Sequence, residues 1–285
     1  MIHDSYQIKA EGSLPYARLV TYIQDYSGEI AIADRPLVLV CPGGGYEWTS
    51  DREAEPLAMQ FLAMGYHAAV LRYSCAPAVF PTALAELAWS IRLVRQNAAE
   101  WHVNPRQIIV LGCSAGGHLA ASLGVFWDRD FVAEALAYEG GDRTIFRLDG
   151  MILCYPVITS GEYAHRGSFD HLLGGQEEAL SEKLGMPARE YVSLEKQVGA
   201  GTPPAFIWHT YTDGGVPVEN SLLFVGALRR ADVPAEFHMY PRGVHGLALA
   251  NRLTLDRGGC ALQEECTSWI SLAHTWIEHQ YVKGS

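Results

Sequence analysis

Ile108-Ile109-Val110-Leu111-Gly112-Cys113-Ser114-Ala115-Gly116-Gly117-His118-Leu119-Ala120-Ala121-Ser122-Leu123 runs from a continuous apolar segment, through a serine bracketed by glycines, into a helix-like series of small and apolar residues. The order strand, sharp turn, helix is the setting in which a Gly-x-Ser-x-Gly string carries chemistry. Alone the string is weak, because a chain with 28 glycines in 285 residues produces such patterns by chance. The context gives it meaning. Side chains at 112 and 116 would collide with the adjoining strand and helix, so glycine is expected there. Ser114 is then presented above the sheet edge, beside unpaired N–H groups of a helix start that favour negative charge.

Working outward, other apolar runs repeat the same grammar. Pro36 to Cys41, Ala68 to Arg72, Met151 to Tyr155, Ala205 to His209 and Ala235 to Tyr240 read as strands. Glu53 to Met64, Pro81 to Ala99, Ala115 to Phe126, Glu219 to Arg230 and Gln263 to Gln280 have helical periodicity. Alternating strands and helices with near-continuous apolar strands predict a mostly parallel central sheet covered by helices on both faces. Tyr6 to Lys9 and Arg18 to Gln24 suggest an N-terminal antiparallel strand pair. No repeat or linker divides the chain, so residues 1–285 are expected as one α/β domain. The irregular stretch 159–204 is expected as a small lid or excursion.

A serine needs a base, and the base needs an orienting acid. In the order serine, acid, histidine, Asp213 follows the Ala205 strand and His245 follows the Ala235 strand. Both then fall beyond carboxyl ends of strands, where ligands collect in such sheets. His209 is the rival base, and Glu219 and Asp232 are rival acids set farther from the strand tip. An oxyanion needs converging N–H donors. Gly44 and Gly45, in Pro42-Gly43-Gly44-Gly45, supply them with Ala115.

Other classes fit less well. A phosphate loop and a dinucleotide fingerprint are both absent. The 21 basic and 32 acidic residues leave a net charge of −11, which argues against nucleic acid or an anionic membrane as partner. There is no run of 18 apolar residues to span a bilayer. The N-terminus has no signal-peptide pattern, and most of the six cysteines sit in apolar runs without a CxxC pair. Cytoplasmic residence is therefore expected, with no cofactor and no metal. His165, His171 and Asp170 are the one group considered for a metal. Oligomeric state is open, a homodimer being the commonest assembly.

Taken together, VLVCPGGGYEWTSDREAEPLAMQFLAMGYHAAVLRYS, GCSAGGHLAASLG and FIWHTYTDGGVPVENSLLFVGALRRADVPAEFHMYPRGVHGL resemble the α/β-hydrolase superfamily. The resemblance is to its bacterial acetyl-xylan-esterase-like and lipase/esterase group, related to the hormone-sensitive-lipase branch, and covers about Leu37 to Leu249. It implies a nucleophile at Ser114, an acid at Asp213 and a base at His245, with hole donors at Gly44, Gly45 and Ala115. Pro42 stands where the hormone-sensitive-lipase branch usually has histidine, and that branch's N-terminal helical cap is missing. This departure favours small-acyl sugar esterases over long-chain lipases. The expected activity is hydrolysis of short-acyl, acetyl-like esters through an acyl-enzyme. Tyr46, Trp48 and Tyr73 are candidates to hold a sugar alcohol, and Tyr155 and Val157 to border the acyl pocket. The alternatives are a serine peptidase or amidase on the same fold, and a non-catalytic binding protein with a relic hydrolase fold.

Overall fold

A computed structural model describes residues 1–282. Its strands are β1 (Ser5–Gln7), β2 (Arg18–Tyr22), β3 (Arg35–Cys41), β4 (His67–Arg72), β5 (Val103–Cys113), β6 (Gly150–Cys154), β7 (Ala205–Thr210) and β8 (Ala235–Tyr240). They form one sheet in the order β1-β2-β4-β3-β5-β6-β7-β8. β1 pairs antiparallel with β2, and β2 antiparallel with β4; every later pairing is parallel. The expected antiparallel pair and mostly parallel sheet are both present.

The continuous apolar strands are explained by burial on both faces. Successive side chains point to opposite sides of a strand. Leu37, Leu39, Ile108, Val110, Leu153 and Ile207 therefore enter one core. Val38, Val40, Ile109, Leu111, Ile152 and Phe206 enter the other. The two edge strands, β1 and β8, have no fully buried residue.

The helices are α1 (Glu55–Ala63), α2 (Thr82–Gln96), α3 (Ala98–Trp101), α4 (Ala115–Phe126), α5 (Asp130–Glu134), α6 (Arg166–Leu173), α7 (Glu177–Leu184), α8 (Ala188–Tyr191), α9 (Glu219–Arg230) and α10 (Trp269–Ile277). Helices α2, α4 and α9 cover the first core, and α1 and α10 the second. All twelve residues of α4 are buried, which is why it reads as apolar all round. Helices α6, α7 and α8 lie in the 159–204 excursion between β6 and β7.

Two expected helices are broken. The Pro81–Ala99 stretch ends α2 at Gln96, where Asn97 Nδ2 donates to the Leu93 carbonyl at 2.8 Å. The Gln263–Gln280 stretch begins as a 3₁₀ turn, Glu264–Ser268, and ends as a π-turn, Glu278–Val282. Thr267 Oγ1 donates back to the Glu264 carbonyl at 2.7 Å, a local bond that competes with helix formation.

Candidate active site

Strand β5 ends at Cys113, and Ser114 sits between it and α4 with φ 53° and ψ −117°. That backbone is costly for a residue with a Cβ. It is held by neighbours: the Ser114 N–H donates to the Cys154 carbonyl at 3.0 Å, and the Ser114 carbonyl accepts from Val157 N–H at 3.0 Å. The flanking glycines are required by space. A Cβ on Gly116 would strike the Cys41 and Pro42 carbonyls, and one on Gly112 the Gly116 carbonyl.

His245 Nε2 lies 2.7 Å from Ser114 Oγ, and His245 Nδ1 lies 2.7 Å from Asp213 Oδ2. Asp213 is buried at the end of β7. Its Oδ1 accepts the N–H groups of Gly215 and Val216, both at 2.9 Å. His209 stands 3.3 Å from Oδ2. Burial alone would raise the Asp213 carboxyl; hydrogen bonds from His209 and His245 outweigh it and hold the group well below the usual carboxylate range. Asp213 is thus an ionised acceptor for a ring N–H. His209 is fully buried, with Nε2 donating to the Val216 carbonyl at 3.0 Å and Nδ1 accepting from Ser221 at 2.8 Å. It props the acid and does not reach the serine. Glu219 lies in α9 and Asp232 beyond it, and neither contacts His245 through a hydrogen bond or ion pair.

Across the cleft, the loop after β3 presents Gly44 (φ 130°) and Gly45 (φ 66°). A Cβ on Gly44 would run into the Trp48 carbonyl. Among the described residues, the N–H groups of Gly44, Gly45 and Ala115 have no hydrogen-bond partner. They are free donors beside the serine. The cleft bordered by Gly44, Gly45, Ser114 and His245 holds about 450 Å³ and is also walled by Trp48, Arg52, Glu53, His165, His171 and Gly246.

A family model named BD-FAE matches residues 26–228. The chain belongs to the BD-FAE family. It is 40% identical over 223 residues to endo-1,4-beta-xylanase B of Butyrivibrio fibrisolvens, covering 76% of this chain and 33% of that protein. It is 28% identical over 208 residues to an acetylxylan esterase of Xylanibacter ruminicola, covering 72% and 39%. The chain therefore spans about a third of the length of these curated relatives. Among solved structures, the acetyl ester-xyloside bifunctional hydrolase of Caldicellulosiruptor lactoaceticus is similar at 37% identity with a TM-score of 0.76, covering 92% of this chain and 88% of that one.

In this BD-FAE chain the expected pocket aromatics separate into two groups. Trp48 is on the cleft wall and 58% exposed. Tyr46, Tyr73, Tyr155 and Val157 are corrected: all four are buried beneath the site. Their polar atoms hold the scaffold. Tyr73 donates to the Pro42 carbonyl at 2.7 Å, Tyr46 to His118 Nδ1 at 2.8 Å and Tyr155 to Glu53 Oε1 at 2.8 Å. His118 Nε2 donates in turn to the Val192 carbonyl at 2.9 Å, tying the glycine loop through α4 to the excursion.

Glu53 carries a role the sequence reading missed. It is only 3% exposed, and Oε2 accepts the Gly43 N–H at 2.8 Å. The Tyr155 hydroxyl that bonds Oε1 also accepts the Ala248 N–H at 2.9 Å and the Tyr155 ring stands edge-on to His245 at 5.2 Å. One carboxylate therefore joins the glycine loop to the histidine loop. Its only sequence signal was an acidic residue in Ser50-Asp51-Arg52-Glu53, soon after the triple glycine.

The residues considered for a metal are otherwise engaged. Asp170 is paired with Arg189 at 2.6 Å, and His165 and His171 turn one ring nitrogen each to local partners. Among the described residues no group of three or more His, Cys, Asp or Glu is placed to hold a metal ion. No helix among them is long and apolar enough to cross a membrane.

Proposed function

We propose that the chain is a serine ester hydrolase for short acyl groups such as acetyl, with acetylated sugars as its alcohol class. The observation that carries the reading is the unbroken line from Ser114 through His245 to an ionised, buried Asp213, facing three free N–H donors.

Ser114 Oγ attacks the ester carbonyl as His245 Nε2 takes its proton, and Asp213 stabilises the resulting imidazolium. Gly44, Gly45 and Ala115 donate to the oxyanion. The tetrahedral centre collapses, the C–O bond to the alcohol breaks, and His245 returns the proton to the leaving oxygen. Water then attacks the acyl-enzyme by the same route, releasing the acid and restoring Ser114.

The short-acyl preference follows from the walls. Each methylene buried is worth about 0.8 kcal/mol, but only against apolar surface. Trp48 is the only large apolar side chain on the cleft wall among the described residues; the rest are glycine, serine, histidine or charged. The names of the xylan-active relatives support the sugar class.

The test is hydrolysis of a p-nitrophenyl ester series, alongside acetate release from acetylated xylo-oligosaccharides, by the wild type and Ser114→Ala. Hydrolysis of acetyl but not long-chain esters, lost in the variant, is the expected result. Equal rates in both proteins would sink the proposal.

A further inference from the structure

We propose that His165 and His171 read hydroxyl groups on the alcohol half of the ester, His165 as hydrogen-bond donor and His171 as acceptor, so that the cleft selects a polyol over an apolar alcohol. This rests on the ester-hydrolase reading above and deepens it.

Both histidines belong to the 159–204 excursion and wall the same cleft as Ser114 and His245. Their free polarity is set by what the other ring nitrogen does. His165 caps α6: its Nδ1 accepts from Ser168 N–H at 3.3 Å and lies 2.8 Å from Ser168 Oγ. An accepting Nδ1 places the hydrogen of a neutral ring on Nε2. Burial, and then the neighbouring His245, push the His165 imidazole below its ordinary value, so the ring is neutral at pH 7. His171 is the reverse case. Its Nδ1 is 3.0 Å from the Gly45 carbonyl oxygen, which only accepts, so Nδ1 carries the hydrogen and Nε2 of the neutral ring is a lone pair.

The cleft therefore faces its ligand with one N–H and one bare nitrogen. Neither Nε2 has a hydrogen-bond partner among the described residues. A hydroxyl both donates and accepts, so adjacent hydroxyls can satisfy both rings. An alcohol without hydroxyls leaves them unpaired, which is the situation that gives a polar site its strongest discrimination. Exposed Trp48 on the same wall offers a flat face for the C–H side of a pyranose ring.

Asparagine at each position separates recognition from scaffolding. His165→Asn keeps a side-chain oxygen to cap α6. His171→Asn keeps an N–H for the Gly45 carbonyl. Both remove Nε2. The readout is kcat/KM for a mono-acetylated methyl xyloside divided by that for cyclohexyl acetate. The wild type is expected to favour the xyloside. Each variant should lower the ratio about tenfold, the effect of one hydrogen bond left unmade, and through KM more than kcat. An unchanged ratio, or a wild type without preference, overturns the inference and leaves the hydrolase reading standing. A wild type that hydrolyses neither ester condemns the hydrolase reading instead. In that event calorimetric titration with methyl β-xyloside still decides the pair: binding weakened in the variants supports it, and absent or equal binding overturns it.

Discussion

Asp213 is held ionised against its own burial. Four groups achieve this: two backbone N–H groups on one oxygen, His209 and His245 on the other. Asp213→Asn should leave the side chain's shape intact but place an N–H donor or a weaker acceptor opposite His245 Nδ1, reversing the tautomer at Ser114. A fall in kcat of about 10⁴ is expected, measured on p-nitrophenyl acetate. Glu53→Gln probes a different link. With its oxygen kept on the Gly43 N–H, the amide turns an NH2 group to the Tyr155 hydroxyl, so the charge is lost and the hydroxyl must accept where it donated. A kcat reduced about 10- to 100-fold, with a smaller change in KM, is expected. At this scale, Ser114, Asp213 and His245 were legible because each sits at a strand exit with turn residues around it. Glu53 was not, because burial of a lone acid depends on Gly43 and Tyr155 arriving from other parts of the chain. The aromatics misled for a related reason: Tyr46 and Tyr73 follow strand ends as pocket residues would, yet the glycine loop folds over them.

The turn from β5 into α4 is the element on which the site is built, and its glycines are tightly enclosed. A methyl group at Gly116 meets backbone carbonyls of the β3 exit and not movable side-chain ends. Gly116→Ala is expected to destabilise the fold by about 1 to 3 kcal/mol or more, read as a lowered midpoint in denaturant titration. Gly175, where an added Cβ meets nothing within 4 Å but φ is 73°, should cost less as alanine, since only backbone strain is added. Boundaries of α4, α9 and β8 were readable to the residue: the glycine-flanked Ser114 opens α4, Glu219 and Arg229-Arg230 bound α9, and Pro234 and Pro241 bracket β8. The C-terminal helix was not, because Glu264–Ser268 has helical spacing but side chains that bond their own backbone. The short helix α5 gave no readable period in five residues.

Across the whole molecule, buried neutral histidines tie distant elements together and make stability depend on pH. His118 joins the glycine loop to the excursion, and His67 bonds the Gln24 N–H and the His102 carbonyl. Burial lowers each from the ordinary 6.5 to about 4. The unfolded chain binds these protons first as pH falls, so the stabilisation is complete above about pH 6.5, declines between 6.5 and 4, and stops declining from this source below 4. Each group accounts for at most about 3 kcal/mol over that window. Unfolding free energies measured from pH 7 to 4 should fall with the largest slope in the middle; a flat profile would contradict the neutral-histidine assignment.

The central claim is that Ser114 carries the acyl group between the two halves of the reaction. Rapid acid quench of the enzyme during turnover of an aryl acetate, followed by peptide mass spectrometry, tests it most directly. The expected result is one acetyl group on the peptide containing Ser114, at the serine itself, with no label and no turnover in Ser114→Ala. Acetate release by Ser114→Ala at the wild-type rate, or an acetyl group carried by a different residue during turnover, would contradict it.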